Sequence, residues 1–240
     1  MTEPKDLYEA IQKTVLVTFA SGVTIIDTDE RGIADWLFDF RALLLQPHWL
    51  NRYAELFWET YASRYPFQVC GMETAAISLV AAIVMKGVER GTPVNGLFIR
   101  KSRKRQGLVK QIEGTPNEHP VILVDDLINS GGTFAKQVKI LNAAGTPVTD
   151  IFALVAFQDT ASYAFPSDTS IRVHTVFTLK DFGVTDNRTK PPRNEFDEIW
   201  HHQSPHPAYH IVIQKSAPVI DDERVYVGTD NGTLYALDQS

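Results

Sequence analysis

The chain reads as an α/β protein: a parallel sheet flanked by helices, followed by a short β-rich tail. Three observations point there. Short, mainly apolar runs ("FQVC", "GLFI", "VILV", "IFALVAF") have the look of strands covered on both faces. They alternate with helix-like stretches, the order that builds parallel sheets. Beyond about Lys190 the composition turns to Pro, His and Asn, and then to short alternating strands.

In chain order, "DLYEAIQKTVLV" reads as a short helix and "TFASGVTIID" as strands around a Ser-Gly turn. "IADWLFDFRALLLQPHWLNRYAELFWETYASRY" is rich in helix formers, with Pro47 marking a break or a helix start. "FQVCGMETAAISLVAAIVMKG" is a strand, a turn at Gly71 and a helix to about Gly87, and "NGLFIRK" is the next strand. "RKRQGLVKQIEGTPNEHP" is a long polar connection. "VILVDD" is then a strand, "GGTFAKQVKILNAAG" its helix stopped at Gly145, and "IFALVAF" a further strand. The main domain is expected over residues 1–203. Residues 204–240 form a tail whose "RVYVGTDNGTLYALD" carries an Asp-Asn-Gly hairpin signal.

Composition narrows the function classes. The 240 residues are 44% hydrophobic, enough for a sizeable core, and the net charge of -6 gives nucleic acid or an anionic membrane no electrostatic attraction to the chain as a whole. Only "RKSRKR", Arg100 to Arg105, runs against that trend. Cys70 is the single cysteine, which excludes an internal disulfide and fits a reducing compartment. The start has no basic n-region followed by an apolar core, and no apolar run approaches a membrane span. These features lead to the expectation of a soluble cytoplasmic protein.

The chemistry concentrates in "VILVDDLINSGGTF", Val121 to Phe134. Turn residues after a strand place backbone N–H groups and a helix N-terminus around a small concavity, a ready anion site. Asp125 and Asp126 would repel a phosphate, so their useful targets are sugar hydroxyls or a nearby metal ion. A Walker loop is excluded, because no Gly-Lys-Ser/Thr follows. His201, His202, His206 and His210 lack acid or cysteine partners at regular spacing and read as a solvated linker. Trp49, Trp58 and Tyr61 sit at helical spacing and read as core or dimer surface, and Cys70 as inert.

Over about residues 5 to 190 these segments resemble type I phosphoribosyltransferases, the orotate enzymes above all. The acid pair matches the phosphoribosyl pyrophosphate motif. "GMETAAI" matches the pyrophosphate loop, "RKSRK" the start of the flexible catalytic loop, and "TFASG" the hood. The resemblance implies catalytic roles for Arg100, Lys101, Lys104, Asp125 and Asp126. It implies substrate contacts from Glu73, Thr74, Ala75, Asn129, Ser130, Gly131, Gly132, Thr133 and Phe157. It also implies Mg²⁺ carried by pyrophosphate and ribose hydroxyls, phosphoribosyl transfer to a nitrogenous base, and a homodimer. Five positions depart from the pattern: Gln106 for a histidine, Ala20 for a lysine, Asn129 for a threonine, and Ala156–Phe157 for an Asp-Arg pair. Phe157 cannot grip the carboxylate of orotate, but an aromatic wall suits stacking of a neutral ring. The alternative reading is a catalytically reduced module that binds phosphoribosyl pyrophosphate or a nucleotide in a regulatory or defence assembly. The tail resembles one quinoprotein-type β-propeller repeat.

Overall fold

The computed structural model describes residues 4–18, 25–27, 32–34, 36–101, 111–165, 171–184, 219–220, 224–228 and 234–238. The chain divides into two compact units, Met1–Pro192 and Arg193–Ser240, a boundary close to the change of composition near Lys190 and ahead of the expected division at 203/204.

The first unit opens with helix α1 (Lys5–Thr14), which buries Leu7 and Ile11. Strands β1 (Leu16–Thr18), β2 (Ile25–Asp27), β3 (Gly32–Ala34) and β4 (Trp36–Phe38) follow. β1 pairs antiparallel with β4, and β2 with β3. A single turn, α2 (Arg41–Leu44), leads to α3 (Pro47–Tyr61), where Pro47 takes a first-turn position that needs no N–H donor. Trp58 and Tyr61 lie fully in the core, and the Trp58 indole N–H donates to the Ile83 carbonyl at 3.0 Å.

The main sheet comes next: β5 (Gln68–Met72), helix α4 (Ala75–Glu89), β6 (Asn95–Ile99), β7 (Ile112–Glu113), β8 (Val121–Val124), β9 (Leu127–Ile128), helix α5 (Gly132–Ala143), β10 (Val148–Ala156) and β11 (Arg172–Thr178). The strand order is β11-β10-β8-β5-β6-β7, with β9 added beside the end of β10. Every neighbour along that order is parallel except β6 with β7.

Alternation along the strands splits the core into two layers. Val69, Ile122, Val124, Phe152 and Leu154 pack with α1, α3 and α4. Cys70, Leu97, Val121, Leu123, Ile151 and Ala153 pack with Phe134, Val138 and Leu141 of α5. Burial pushes the Cys70 thiol up to about 12, in keeping with an inert core sulfur. The helices press closely on one another: a Cβ at Gly87 of α4 would come within 2.8 Å of the Trp58 ring.

At the amino ends of β10 and β11 a polar knot closes the sheet. Asp150, its side chain 2% exposed, accepts from Arg172 Nε and Nη2 at 2.9 Å each and from Arg64 Nη1 at 2.5 Å. His174 Nε2 lies 3.4 Å away. Burial alone would raise the Asp150 carboxyl, but the nearby His174 and the hydrogen bonds from Arg172 outweigh it and hold the group below the usual carboxylate range.

The second unit contributes β12 (Val219–Ile220), β13 (Arg224–Gly228) and β14 (Leu234–Asp238), an antiparallel meander in that order. Among the described residues no helix is long and apolar enough to cross a membrane.

Candidate functional site

Parallel strands β8, β5 and β6 are neighbours, so the segments leaving their carboxyl ends meet on one side of the sheet. After β8 the backbone is clamped from both flanks. The Asp125 N–H donates to the Phe152 carbonyl at 3.1 Å, the Leu154 N–H donates to Asp126 O at 2.9 Å, and the buried Tyr53 hydroxyl donates to Asp125 O at 2.9 Å. Each carboxylate braces the backbone of the residue after it: Asp126 N donates to Asp125 Oδ1 at 3.0 Å, and Leu127 N to Asp126 Oδ1 at 2.8 Å. Burial, then the charge of Asp126, pushes Asp125 well above the ordinary carboxyl value, and burial raises Asp126 as well. The pair is unfavourable when fully ionised and unliganded. It is suited to accept hydroxyl donors or a cation.

The turn after β5 runs through Glu73 and Thr74, whose peptide bond is cis, into the start of α4 at Ala75. Gly71 is required by space rather than by φ. A Cβ there would lie 2.3 Å from the Ala76 Cβ and 2.9 Å from the Val124 carbonyl. The turn is stitched to β6, with Glu73 N donating to Ile99 O at 2.9 Å and Lys101 N donating to Glu73 Oε1 at 2.7 Å. Beyond β6, Arg100 N donates to Gln111 O at 2.9 Å, and the Arg100 guanidinium lies 3.5 Å from Glu113 on β7. The short antiparallel β6–β7 pair therefore closes the base of the basic loop. Lys104 and Gln106 lie outside the described residues.

The small-residue loop between β9 and α5 turns at Gly131, whose φ of +79° falls in the left-handed region that favours glycine. A Cβ there would also come within 3.2 Å of the Tyr163 ring. Tyr163 fastens the loop from outside: its hydroxyl donates to Ile128 O at 2.9 Å and accepts from Gln158 N at 3.1 Å. Phe157 packs edge-on to Trp36, with ring centroids 5.3 Å apart, and tilted against Phe38 at 5.7 Å.

These segments enclose a cleft of about 880 Å³. Of the residues singled out from the sequence, Glu73, Thr74, Ala75, Arg100, Lys101, Asp125, Asp126 and Thr133 line it. Asn129, Ser130, Gly131 and Gly132 form the adjoining loop, and Phe157 sits in the aromatic cluster instead. Sequence reasoning missed Arg41, Gln111, Lys136 and Lys139 on the cleft wall, and the bracing residues Tyr53 and Tyr163. The i, i+3 spacing of Lys136 and Lys139 on one helix face was the available signal for that pair. A second, mainly apolar cavity of about 420 Å³ adjoins the cleft and shares Arg41, Thr74, Ala75 and Asp126 with it. Among the described residues no three His, Cys, Asp or Glu side chains converge as a metal cage.

The chain is 28% identical over 137 residues to an orotate phosphoribosyltransferase of Bradyrhizobium sp. (strain ORS 278), covering 55% of this chain and 74% of that one. It is 31% identical over 139 residues to the orotate phosphoribosyltransferase of Pyrococcus furiosus, covering 56% and 73%. No protein-family profile matches it. Among solved structures, orotate phosphoribosyltransferase from Mycobacterium tuberculosis H37Rv in complex with Fe(III) dicitrate superposes with a TM-score of 0.60 at 23% identity, covering 75% of this chain and 98% of that one. A phosphoribosyltransferase from Corynebacterium diphtheriae gives 0.61 at 20% identity, covering 77% and 100%. At such identities these two structures establish a shared fold.

Proposed function

The chain belongs to the type I phosphoribosyltransferase family, and we infer that its cleft binds phosphoribosyl pyrophosphate with Mg²⁺ and transfers the phosphoribosyl group to a nitrogenous base. The observation that carries this reading is the meeting of the acid pair, the Glu73–Ala75 turn and the Arg100–Lys101 cations in one cleft.

In the transfer, the bond from the ribose anomeric carbon to pyrophosphate breaks and its electron pair leaves with pyrophosphate. A ring nitrogen of the base supplies the pair for the new bond, and the proton it carried passes to solvent or to the departing pyrophosphate. Asp125 and Asp126 accept hydrogen bonds from the ribose hydroxyls and hold the sugar in place. Arg100 and Lys101 stabilise the charge that develops on the departing pyrophosphate. The N-terminus of α5, with Asn129 to Thr133, takes the 5′-phosphate. Mg²⁺ prefers a ligand's own oxygens plus one or two carboxylates to an all-protein cage, which agrees with the acid pair; it would neutralise the pyrophosphate charge.

Isothermal titration with phosphoribosyl pyrophosphate tests the binding half of this reading. Saturable binding in Mg²⁺ that is lost in EDTA is expected, and no binding in either buffer overturns it. The second reading, a binding module with reduced catalysis, is favoured by Ala20 and Gln106, where the resemblance leads one to look for lysine and histidine.

We also propose a homodimer. Leu45, Met85 and Val88 leave 69%, 63% and 59% of their surface exposed along α4 and the neighbouring α2 corner, an apolar face suited to a two-fold contact. Light scattering at micromolar concentration should give twice the chain mass, and a fully active monomer would refute the contact.

A further inference from the structure

The lysines of the cleft differ from its arginines in having no acidic partner. Arg41 is paired with Asp39 and Arg100 with Glu113. Among the described residues Lys101, Lys136 and Lys139 make no ion pair, and all three line the cleft. Lys136 and Lys139 are exposed and stand on α5 about 6 and 10 Å along its axis from Gly132, at the ordinary rise per residue. Their row leads away from the helix N-terminus. At i, i+3 spacing the two like charges oppose each other slightly while nothing neutralises them. Met72 and Ile140 line the cleft beside them and are packed with Ile112 against the α5 layer of the core. Lys101 and Gln111 stand where β6 ends and β7 begins. The cleft thus continues between α5 and the β6–β7 edge as a trough with an apolar floor and lysines on both sides.

We propose that this trough is a third anion subsite, which takes the end of a phosphate chain longer than pyrophosphate. The proposal rests on the reading of the cleft as a phosphoribosyl pyrophosphate site. That ligand has two anionic ends, and both are met elsewhere: the 5′-phosphate at the N-terminus of α5, the pyrophosphate at Arg100 and Lys101. Lys136 and Lys139 are then left with charge that nothing neutralises. A chain one phosphate longer carries its terminal group past Lys101 to the α5 row, where each lysine offers three donors to the free oxygens. The acid pair sets the direction. Asp125 and Asp126 repel an added phosphate at the end of β8, and the α5 wall carries no carboxylate into the cleft. A triphosphate held there covers the pyrophosphate position as well, so it excludes phosphoribosyl pyrophosphate and makes the cleft sensitive to free polyphosphate or to a nucleoside triphosphate.

The test is calorimetry in Mg²⁺ with inorganic triphosphate, pyrophosphate and adenosine triphosphate. Inorganic triphosphate should bind about tenfold or more tightly than pyrophosphate, the scale of an added charge-assisted contact, and should displace phosphoribosyl pyrophosphate. Lys136→Gln with Lys139→Gln should erase that ratio, and Lys136→Arg with Lys139→Arg should keep it. Both residues are exposed, so either pair of substitutions leaves the fold intact. Adenosine triphosphate binding as tightly as inorganic triphosphate assigns the subsite to nucleotides, and clearly weaker binding assigns it to free polyphosphate. Equal affinity for triphosphate and pyrophosphate in the unaltered protein, or a ratio that the glutamine pair does not change, overturns the subsite. Binding of phosphoribosyl pyrophosphate in the same protein then leaves the transferase reading standing. Binding of none of pyrophosphate, triphosphate and phosphoribosyl pyrophosphate overturns both.

Discussion

Asp125→Asn combined with Asp126→Asn should cost about 3–5 kcal/mol of phosphoribosyl pyrophosphate affinity, the scale of two or more charge-assisted hydrogen bonds, and yet make the ligand-free protein more stable. The second half follows from the sign of the pKa shifts. Both carboxyls are raised in the folded state, Asp125 most, by burial and then by the charge of Asp126, and Asp126 by burial with a smaller push from the charge of Asp39. The unfolded chain ionises them in the ordinary carboxyl range near pH 4, so folding becomes less favourable as pH rises from there through the raised values. Asparagine removes that penalty and keeps the oxygens that accept from Asp126 N and Leu127 N. The gain at neutral pH should be on the order of 1 kcal/mol, as is common when a site built for a ligand is relieved of its charge. Thermal melts at pH 5 and pH 8 should show the gap between variant and unaltered protein widening with pH. A variant that melts lower and binds as tightly as the unaltered protein would refute the site.

Asp150→Ala should act in the opposite way, destabilising the fold by about 2–4 kcal/mol with little effect on the cleft. The carboxylate is buried between Arg64, Arg172 and His174 at the amino ends of the strands, the far side of the sheet from the acid pair. The lower part of the range for such pairs applies, because Arg64 and Arg172 reach solvent and can be rehydrated. Its carboxyl is depressed in the folded state. The contribution is therefore fully present above the ordinary carboxyl range and is lost as pH falls through the lower folded value. Chemical denaturation at pH 7 checks the magnitude. A loss below about 1 kcal/mol would show that the knot is surface decoration.

The sheet was legible because its strands are buried on both faces and so appear as unbroken apolar runs. Val121–Val124 and, within β10, Ile151–Ala156 stand out from their polar flanks. The acid pair was legible for the same reason: charges at the end of such a run must lie at a strand's carboxyl end. β7 was hidden, since two residues in a polar connection carry no periodicity and form a strand only by pairing with Phe98 and Ile99. Arg41 was hidden more deeply. Nothing local marks it as a cleft residue, and its place depends on how the β4–α2 corner meets the turn after β5. Phe157, expected beside the substrate, packs on Trp36 and Phe38, contacts between elements far apart in the chain that no pattern of spacing reveals.

The most direct test of phosphoribosyl transfer is product detection. The protein is incubated with phosphoribosyl pyrophosphate, Mg²⁺ and each of a panel of bases in turn, and the nucleoside monophosphate is followed by mass spectrometry beside pyrophosphate. The expected result is nucleotide formed in step with pyrophosphate, at a rate that collapses when Asp125 and Asp126 are replaced by asparagine. Tight Mg²⁺-dependent binding of phosphoribosyl pyrophosphate with no nucleotide formed from any base would contradict it, and would make the chain a binding module on a transferase fold.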